Sequence, residues 1–299
     1  MIRPINIYSL SRISSINTFN ILERHHSQNE DIQRRQEHEI QSLKILVDNL
    51  INDGTKIFEF DGFFYGFKIP QIGKEFDLLK FTEKYCLNIE LKSQNVSQEQ
   101  ILKQLIKNRY YLKHLGKRME LYTIITDTLM CYKLSMNNEL ILTNLSEVKE
   151  RLQQISRDYL TRIDNLFSPS EYLVSPLNTP ERFIQGEYFL TQNQEQIKSK
   201  ILKSIDNAFL NAYFHLTGKP GTGKTLLLYD LAKELSQNGK VLLIHCGKIV
   251  EGQLKIRNEI RNLNIISAKE LNSFQNDISN YNFVLIDESH RIYEEQFNE

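Results

Sequence analysis

The chain has 299 residues, 40% hydrophobic and 25% charged, and its 37 basic and 37 acidic side chains cancel to a net charge of zero. That length leaves room for two domains with separate cores, and the balance excludes a global field toward nucleic acid, so any such contact must come from local patches. No apolar run approaches the roughly 18 residues of a membrane span, no signal-peptide pattern opens the chain, and Cys86, Cys131 and Cys246 are scattered, which predicts a cytoplasmic protein with no membrane partner.

Residues 1–30 are mixed and polar and are read as an N-terminal extension. Ile40, Leu43, Leu46, Val47, Leu50 and Ile51 fall at helical spacing and predict a helix over 31–52, stopped by Asn52-Asp53-Gly54. Short aromatic and β-branched runs follow at 57–60, 63–69, 75–81 and 85–91, separated by Asp61-Gly62, Pro70 and Gly73, and they predict strands. Ser97-x-x-Gln100 is a capping box that opens a second helix, closed at Gly116. Strands at 121–125, 130–134 and 140–143 and a helix over 145–160 complete the region. Pro169, Pro176 and Pro180 mark a linker with little periodicity.

Asp77 lies at the end of one predicted strand, and Glu90 and Lys92 are two apart on the next, so alternation puts their side chains on one face. Two hard oxygen ligands so placed, Asp77 and Glu90, suit Mg²⁺, and Lys92 beside them could activate a water against a phosphodiester. The same residues also fit a plain strand pair with a solvated Asp77 and a Glu90–Lys92 surface ion pair. The arrangement resembles the PD-(D/E)XK nuclease superfamily, with Phe76 where the signature carries proline. That resemblance implies a helix acid, matched by Glu39, and a glutamine–tyrosine helix, matched by Gln104 with Tyr110 and Tyr111. The helix also carries Lys103, Lys107, Arg109, Lys113, Lys117 and Arg118, a pattern suited to phosphate contact and base stacking.

Gly218-Lys219-Pro220-Gly221-Thr222-Gly223-Lys224-Thr225 is a complete GxxxxGK[ST] loop. The apolar run Ala212 to Leu216 predicts the strand that enters it, and Leu226 to Ala232 the helix that leaves it. Glycines let backbone N–H groups turn inward around phosphate oxygens, Lys224 can reach the β- and γ-phosphates, and the Thr225 hydroxyl can ligate Mg²⁺. Val241 to Ile244 reads as a buried parallel strand, with helical pieces near 248–263 and 268–279. Phe283 to Ile286 is a third strand and delivers Asp287, placed to hold Mg²⁺, and Glu288, placed to polarise a water. His245-Cys246 ends the preceding strand and is read as packing.

These motifs resemble a superfamily 1 helicase core, more narrowly the Schlafen-type DNA/RNA helicase domain. Leu190-Thr191-Gln192-Asn193-Gln194 resembles that family's LTxxQ segment, which implies that Gln194 reads the adenine edge; a helix-start glutamine is the competing reading. The family continues past the acidic motif with further strands, an arginine finger and a second RecA-like domain, which implies truncation here or a second polypeptide carrying the remainder.

The fold expected is α/β: an extension (1–30), a restriction-endonuclease-like α/β domain (31–160), a linker (161–186) and an incomplete RecA-like P-loop NTPase domain with a parallel sheet (187–299). The resemblances imply an enzyme that binds and hydrolyses ATP and cleaves or processes nucleic acid with Mg²⁺, DNA ahead of RNA, in defence against foreign DNA. The alternative is a nucleotide-binding regulatory module whose nuclease-like part binds without cutting.

Overall fold

The aromatic and β-branched runs between Phe63 and Thr143 pair into one mixed sheet of six strands. The computed structural model describes residues 2–27, 37–69, 74–155, 157–167, 173–207, 212–271 and 278–291. It divides into two units, Met1–Tyr172 and Leu173–Glu299.

In the first unit the strands β1 (Phe63–Lys68), β2 (Glu75–Phe81), β3 (Tyr85–Lys92), β4 (Arg118–Ile125), β5 (Met130–Leu134) and β6 (Leu140–Thr143) lie in chain order. All neighbours are antiparallel except β3 and β4, which run parallel in the register Glu90↔Thr123. A parallel pair needs a crossover, and helix α4 (Gln98–Leu112) supplies it. Its capping box forms as expected: Gln100 N donates to Ser97 Oγ (3.2 Å) and Ser97 N to Gln100 Oε1 (3.3 Å).

One face of this sheet is covered by helix α3 (Glu37–Asn52) through Leu43, Leu46, Val47 and Leu50, all fully buried, together with Val148 and Leu152 of helix α5 (Leu145–Gln154). Each buried leucine contributes roughly 1.5–3 kcal/mol of transfer free energy. Residues 31–36, expected to begin α3, lie outside the described residues.

Residues 2–27 are part of this unit. Helices α1 (Ile7–Ser11) and α2 (Ile16–Ser27) place Ile7, Leu10 and Phe19 in the same core, and Ile5 bridges to Phe63. Three anchors spread over two short helices leave little periodicity to read. Residues 57–60 form a 3-10 turn where a strand was expected, because the Glu59 carboxylate accepts the Lys56 N–H (2.9 Å) and curls the chain. The last helix stops at Gln154, and Tyr159 pairs instead with Thr82.

An ionic cluster ties β4, β5 and α5. The Lys133 ammonium lies 2.7 Å from both Glu120 and Glu147, and the Tyr122 hydroxyl donates to Glu147 (3.0 Å). Burial alone would raise the Glu147 pKa, but hydrogen bonds from Lys133, Thr143 and Tyr122 outweigh it and bring the carboxyl down to about 2.

In the second unit three parallel strands are ordered β8-β7-β9, with β7 (Val241–His245) central, β8 (Leu263–Ser267) on one side and β9 (Phe283–Asp287) on the other. Val241 to Ile244 are buried, as a central parallel strand requires. The short helix α6 (Pro180–Ile184) buries Phe183, so part of the expected linker belongs to this core. Helices α7 (Gln192–Asp206) and α8 (Lys224–Leu235) pack on each other through Leu190, Leu227 and Leu231, with Ile197 and Ile201 beside them.

Two expectations for this sheet change. Helix α9 (Glu251–Glu259) ends before Asn262, which turns through φ +62°, and the next five residues form β8, a strand not expected between the helical pieces at 248–263 and 268–279. The run Ala212–Leu216, expected as the strand before the loop, is not paired in the sheet. Tyr213 is 90% exposed, and the outer strand β9 leaves Val284 and Ile286 44% and 43% exposed.

Candidate functional site

Helix α8 begins at Lys224, directly after a loop whose glycines turn the backbone. Gly223 adopts φ +78°, a left-handed conformation that favours glycine, and an added Cβ there would stand 2.4 Å from Gln194 Nε2. Gly218 to Gly223 therefore form a tight exposed loop leading into a helix N-terminus. The Thr222 hydroxyl donates to Lys219 O (2.8 Å). The Lys224 ammonium crosses the loop and donates to Gly218 O (2.9 Å) and Lys219 O (3.0 Å).

The parallel sheet brings the acidic motif to this loop. β9 ends at Asp287, and the Thr225 hydroxyl on the first turn of α8 donates to Asp287 Oδ1 (3.3 Å). Asp287 is buried, and its Oδ2 has no hydrogen-bond partner among the described residues. Burial raises its pKa above the ordinary value, reinforced by the Glu288 charge and opposed by His245 and Thr225. Glu288 sits just beyond in a left-handed conformation, φ +58°, with its carboxylate 3.5 Å from His290 Nε2 and 3.7 Å from Arg291 Nε. A non-glycine residue held there is strained by the order of 1–3 kcal/mol.

His245 is a neighbour that the sequence reading set aside as packing. β7 and β9 pair with His245 opposite Asp287, and His245 Nδ1 stands 3.4 Å from Asp287 Oδ2, without hydrogen-bond geometry. The signal available in the sequence was that both residues close their strands, which become significant together only once the strands are known to be adjacent.

Gln194 lies at the first turn of α7, 8% exposed. Its Oε1 accepts the Thr191 N–H (2.8 Å), completing a capping box, and its Nε2 donates to Thr222 O (3.1 Å) and Gly223 O (3.3 Å).

In the first unit, Asp77, Glu90 and Lys92 lie on β2 and β3 at the end of their ladder. Paired register stops at Leu78↔Ile89, and the Asp77 carboxylate accepts the next amide, Leu91 N–H (2.8 Å). Glu90 is 2% exposed, and both carboxylate oxygens are taken by amides: Oε1 accepts from Asn88 (3.0 Å) and Asn108 (2.8 Å), and Oε2 from Gln104. Lys92 is partly buried and forms no ion pair with Glu90. Among the described residues no group of three or more His, Cys, Asp or Glu is placed to hold one metal ion. Three of the roughly four lone-pair positions of the Glu90 carboxylate thus accept amide donors, and one on Oε2 stays open among the described residues.

The basic helix is also partly committed to structure. Arg109 donates to Met136 O (3.0 Å), Asn138 Oδ1 (2.8 Å) and Ser135 O, bracing the β5–β6 turn, while Lys117 and Arg118, expected on the helix, lie past its Gly116 stop: Lys117 donates to Thr82 O (2.7 Å) and Glu83 O (2.9 Å), and Arg118 opens β4. Lys103 and Lys113 are exposed. Tyr111 is buried against Tyr110, edge to face at 5.0 Å.

Residues 211–299 match the family model described as Schlafen group 3, DNA/RNA helicase domain. The matched span holds the glycine loop and Asp287-Glu288, while Gln194 lies outside it. No curated protein and no solved structure matches the chain. The match supports a Schlafen-type helicase assignment for this part and a nucleic-acid-related function. Among the described residues no helix is long and apolar enough to cross a membrane.

Proposed function

We propose that the second unit binds ATP with Mg²⁺ and hydrolyses it as the motor-type part of a protein that works on nucleic acid, DNA ahead of RNA. The observation that carries this reading is the Thr225–Asp287 contact, which brings the glycine loop and the acidic strand end to one point. A Mg²⁺ site of this kind needs few protein ligands, since phosphate and water oxygens complete the octahedron. The buried Asp287 Oδ2, which accepts no hydrogen bond among the described residues and has His245 Nδ1 3.4 Å away, suits one, with the Thr225 hydroxyl at the other carboxylate oxygen. Bound there, the ion would neutralise charge on the β- and γ-phosphates.

The residues of the chain supply the rest. Lys224 exchanges its two carbonyl partners for phosphate oxygens, and the loop amides cradle the chain of phosphates. Glu288, held just past the strand end, orients the attacking water and accepts its proton. The helicase family match supports coupling of this cycle to nucleic acid.

For the first unit, the helix–strand–strand–strand–helix–strand order from α3 to β4 supports a nuclease-like scaffold. The three amide donors on the Glu90 carboxylate support the reading in which that scaffold binds without cutting, and no cleavage step is drawn through Asp77, Glu90 or Lys92. ATP turnover by wild type, Lys224→Ala and Glu288→Gln tests the motor. Magnesium-dependent cleavage of DNA and RNA tests the scaffold: cutting that disappears in Asp77→Ala and Lys92→Ala would restore the nuclease.

A further inference from the structure

We infer that Gln194 is a positioning residue for the phosphate loop, and that the site selects a nucleoside triphosphate by its phosphates and not by its base. This deepens the nucleotide-binding reading and rests on it. A carboxamide reads a purine edge by offering one donor and one acceptor together, in one plane. Here both ends are committed within the protein. Oε1 accepts the Thr191 N–H at 2.8 Å, and the two Nε2 hydrogens reach Thr222 O at 3.1 Å and Gly223 O at 3.3 Å.

The fit is built from both sides. Gly223 lacks the Cβ that would stand 2.4 Å from Gln194 Nε2, so the loop glycine is what admits the amide. Helix α7, which carries Gln194, is fixed against α8 by the Lys198–Asp230 ion pair at 2.6 Å and by the Leu190, Leu227 and Leu231 cluster. Swinging the amide toward a base would break the helix cap and release two loop carbonyls at once. Gln194 therefore joins one helix start to the backbone of the loop, and what it sets is the placement of the Gly223 peptide and the amides beside it.

The test is competition of ATP, GTP, CTP and UTP, each with Mg²⁺, against a ribose-labelled fluorescent triphosphate on the full chain. The expected result is four affinities within roughly threefold of one another, since base edges contribute no paired hydrogen bond at this residue. Gln194→Ala should weaken all four by one common factor, roughly tenfold, from the lost loop contacts. Gln194→Glu, which keeps the cap acceptor but sets a carboxylate against two carbonyls, should weaken all four at least as much. ATP binding more than about tenfold tighter than the rest in wild type would overturn the inference and leave the nucleotide site standing. Absence of binding by any triphosphate would overturn both. The wild-type panel alone decides the matter if either variant fails to fold.

Discussion

Replacing Lys224 by alanine separates a phosphate-binding role from a structural one. In the protein as described, the ammonium makes two hydrogen bonds to loop carbonyls at an exposed position, so its loss costs little stability. Against a triphosphate the same group makes charge-assisted hydrogen bonds worth about 1.5–3 kcal/mol, a weakening of roughly 10- to 150-fold. A ligand at 100 times its Kd stabilises the folded state by about 2.7 kcal/mol, and after a hundredfold loss of affinity the same concentration supplies only about 0.4 kcal/mol. For a domain spanning Leu173–Glu299, each kcal/mol moves Tm by about 3–5 °C. Thermal denaturation should then show wild type rising by roughly 10 °C with MgATP and the variant by about 1–2 °C, with similar melting points in the absence of nucleotide. A variant that keeps the full nucleotide-induced rise would refute the reasoning, as would a wild type that shows none.

Glu288→Gln should leave MgATP affinity within about threefold of wild type and lower turnover by roughly 10²–10⁴, because a general base is lost while the phosphate contacts remain; unchanged turnover removes Glu288 from the chemistry. In the first unit, Glu90→Gln turns an amide donor against amide donors and should cost about 1–3 kcal/mol in chemical denaturation, whereas a neutral result would mean that the Asn88–Gln104–Asn108 cradle does not hold a carboxylate. Glu147 has a folded pKa lowered from 4.5 to about 2, so its stabilising contribution is present above 4.5 and is lost as pH falls toward 2. Urea midpoints between these pH values should fall for wild type and fall less for Glu147→Gln; parallel curves would contradict the cluster.

The features legible in the sequence were those with a strong local cause. Ser97 and Gln100 cap α4 as their spacing predicts, and the glycine loop opens α8 at Lys224. Asp287 follows four apolar residues and ends β9 beside that loop because a parallel sheet puts strand ends together. Other features depended on partners that no local pattern reveals. β8 contains an interior asparagine, Asn264, whose amide donates to the Tyr281 hydroxyl, so its period was masked. Ala212–Leu216 has strand composition yet no ladder, since composition does not supply a neighbour with free backbone groups in register. The D…ExK spacing placed Asp77 and Glu90 at adjoining strand ends, but their hydrogen bonds come from Leu91, Asn88, Gln104 and Asn108, and only tertiary packing shows that the carboxylates are engaged. Gln194 was visible as both a cap and a candidate base reader, and the loop carbonyls it meets lie 28 and 29 residues away.

The central claim is that Thr225 and Asp287 hold one divalent ion against a triphosphate. Electron paramagnetic resonance of Mn²⁺, substituted for Mg²⁺, reads this directly. ATP should create one tightly bound Mn²⁺ in the wild-type protein, and both Thr225→Val and Asp287→Asn should release it. Tight Mn²⁺ that persists in both variants, or that binds equally well without nucleotide, would contradict the account.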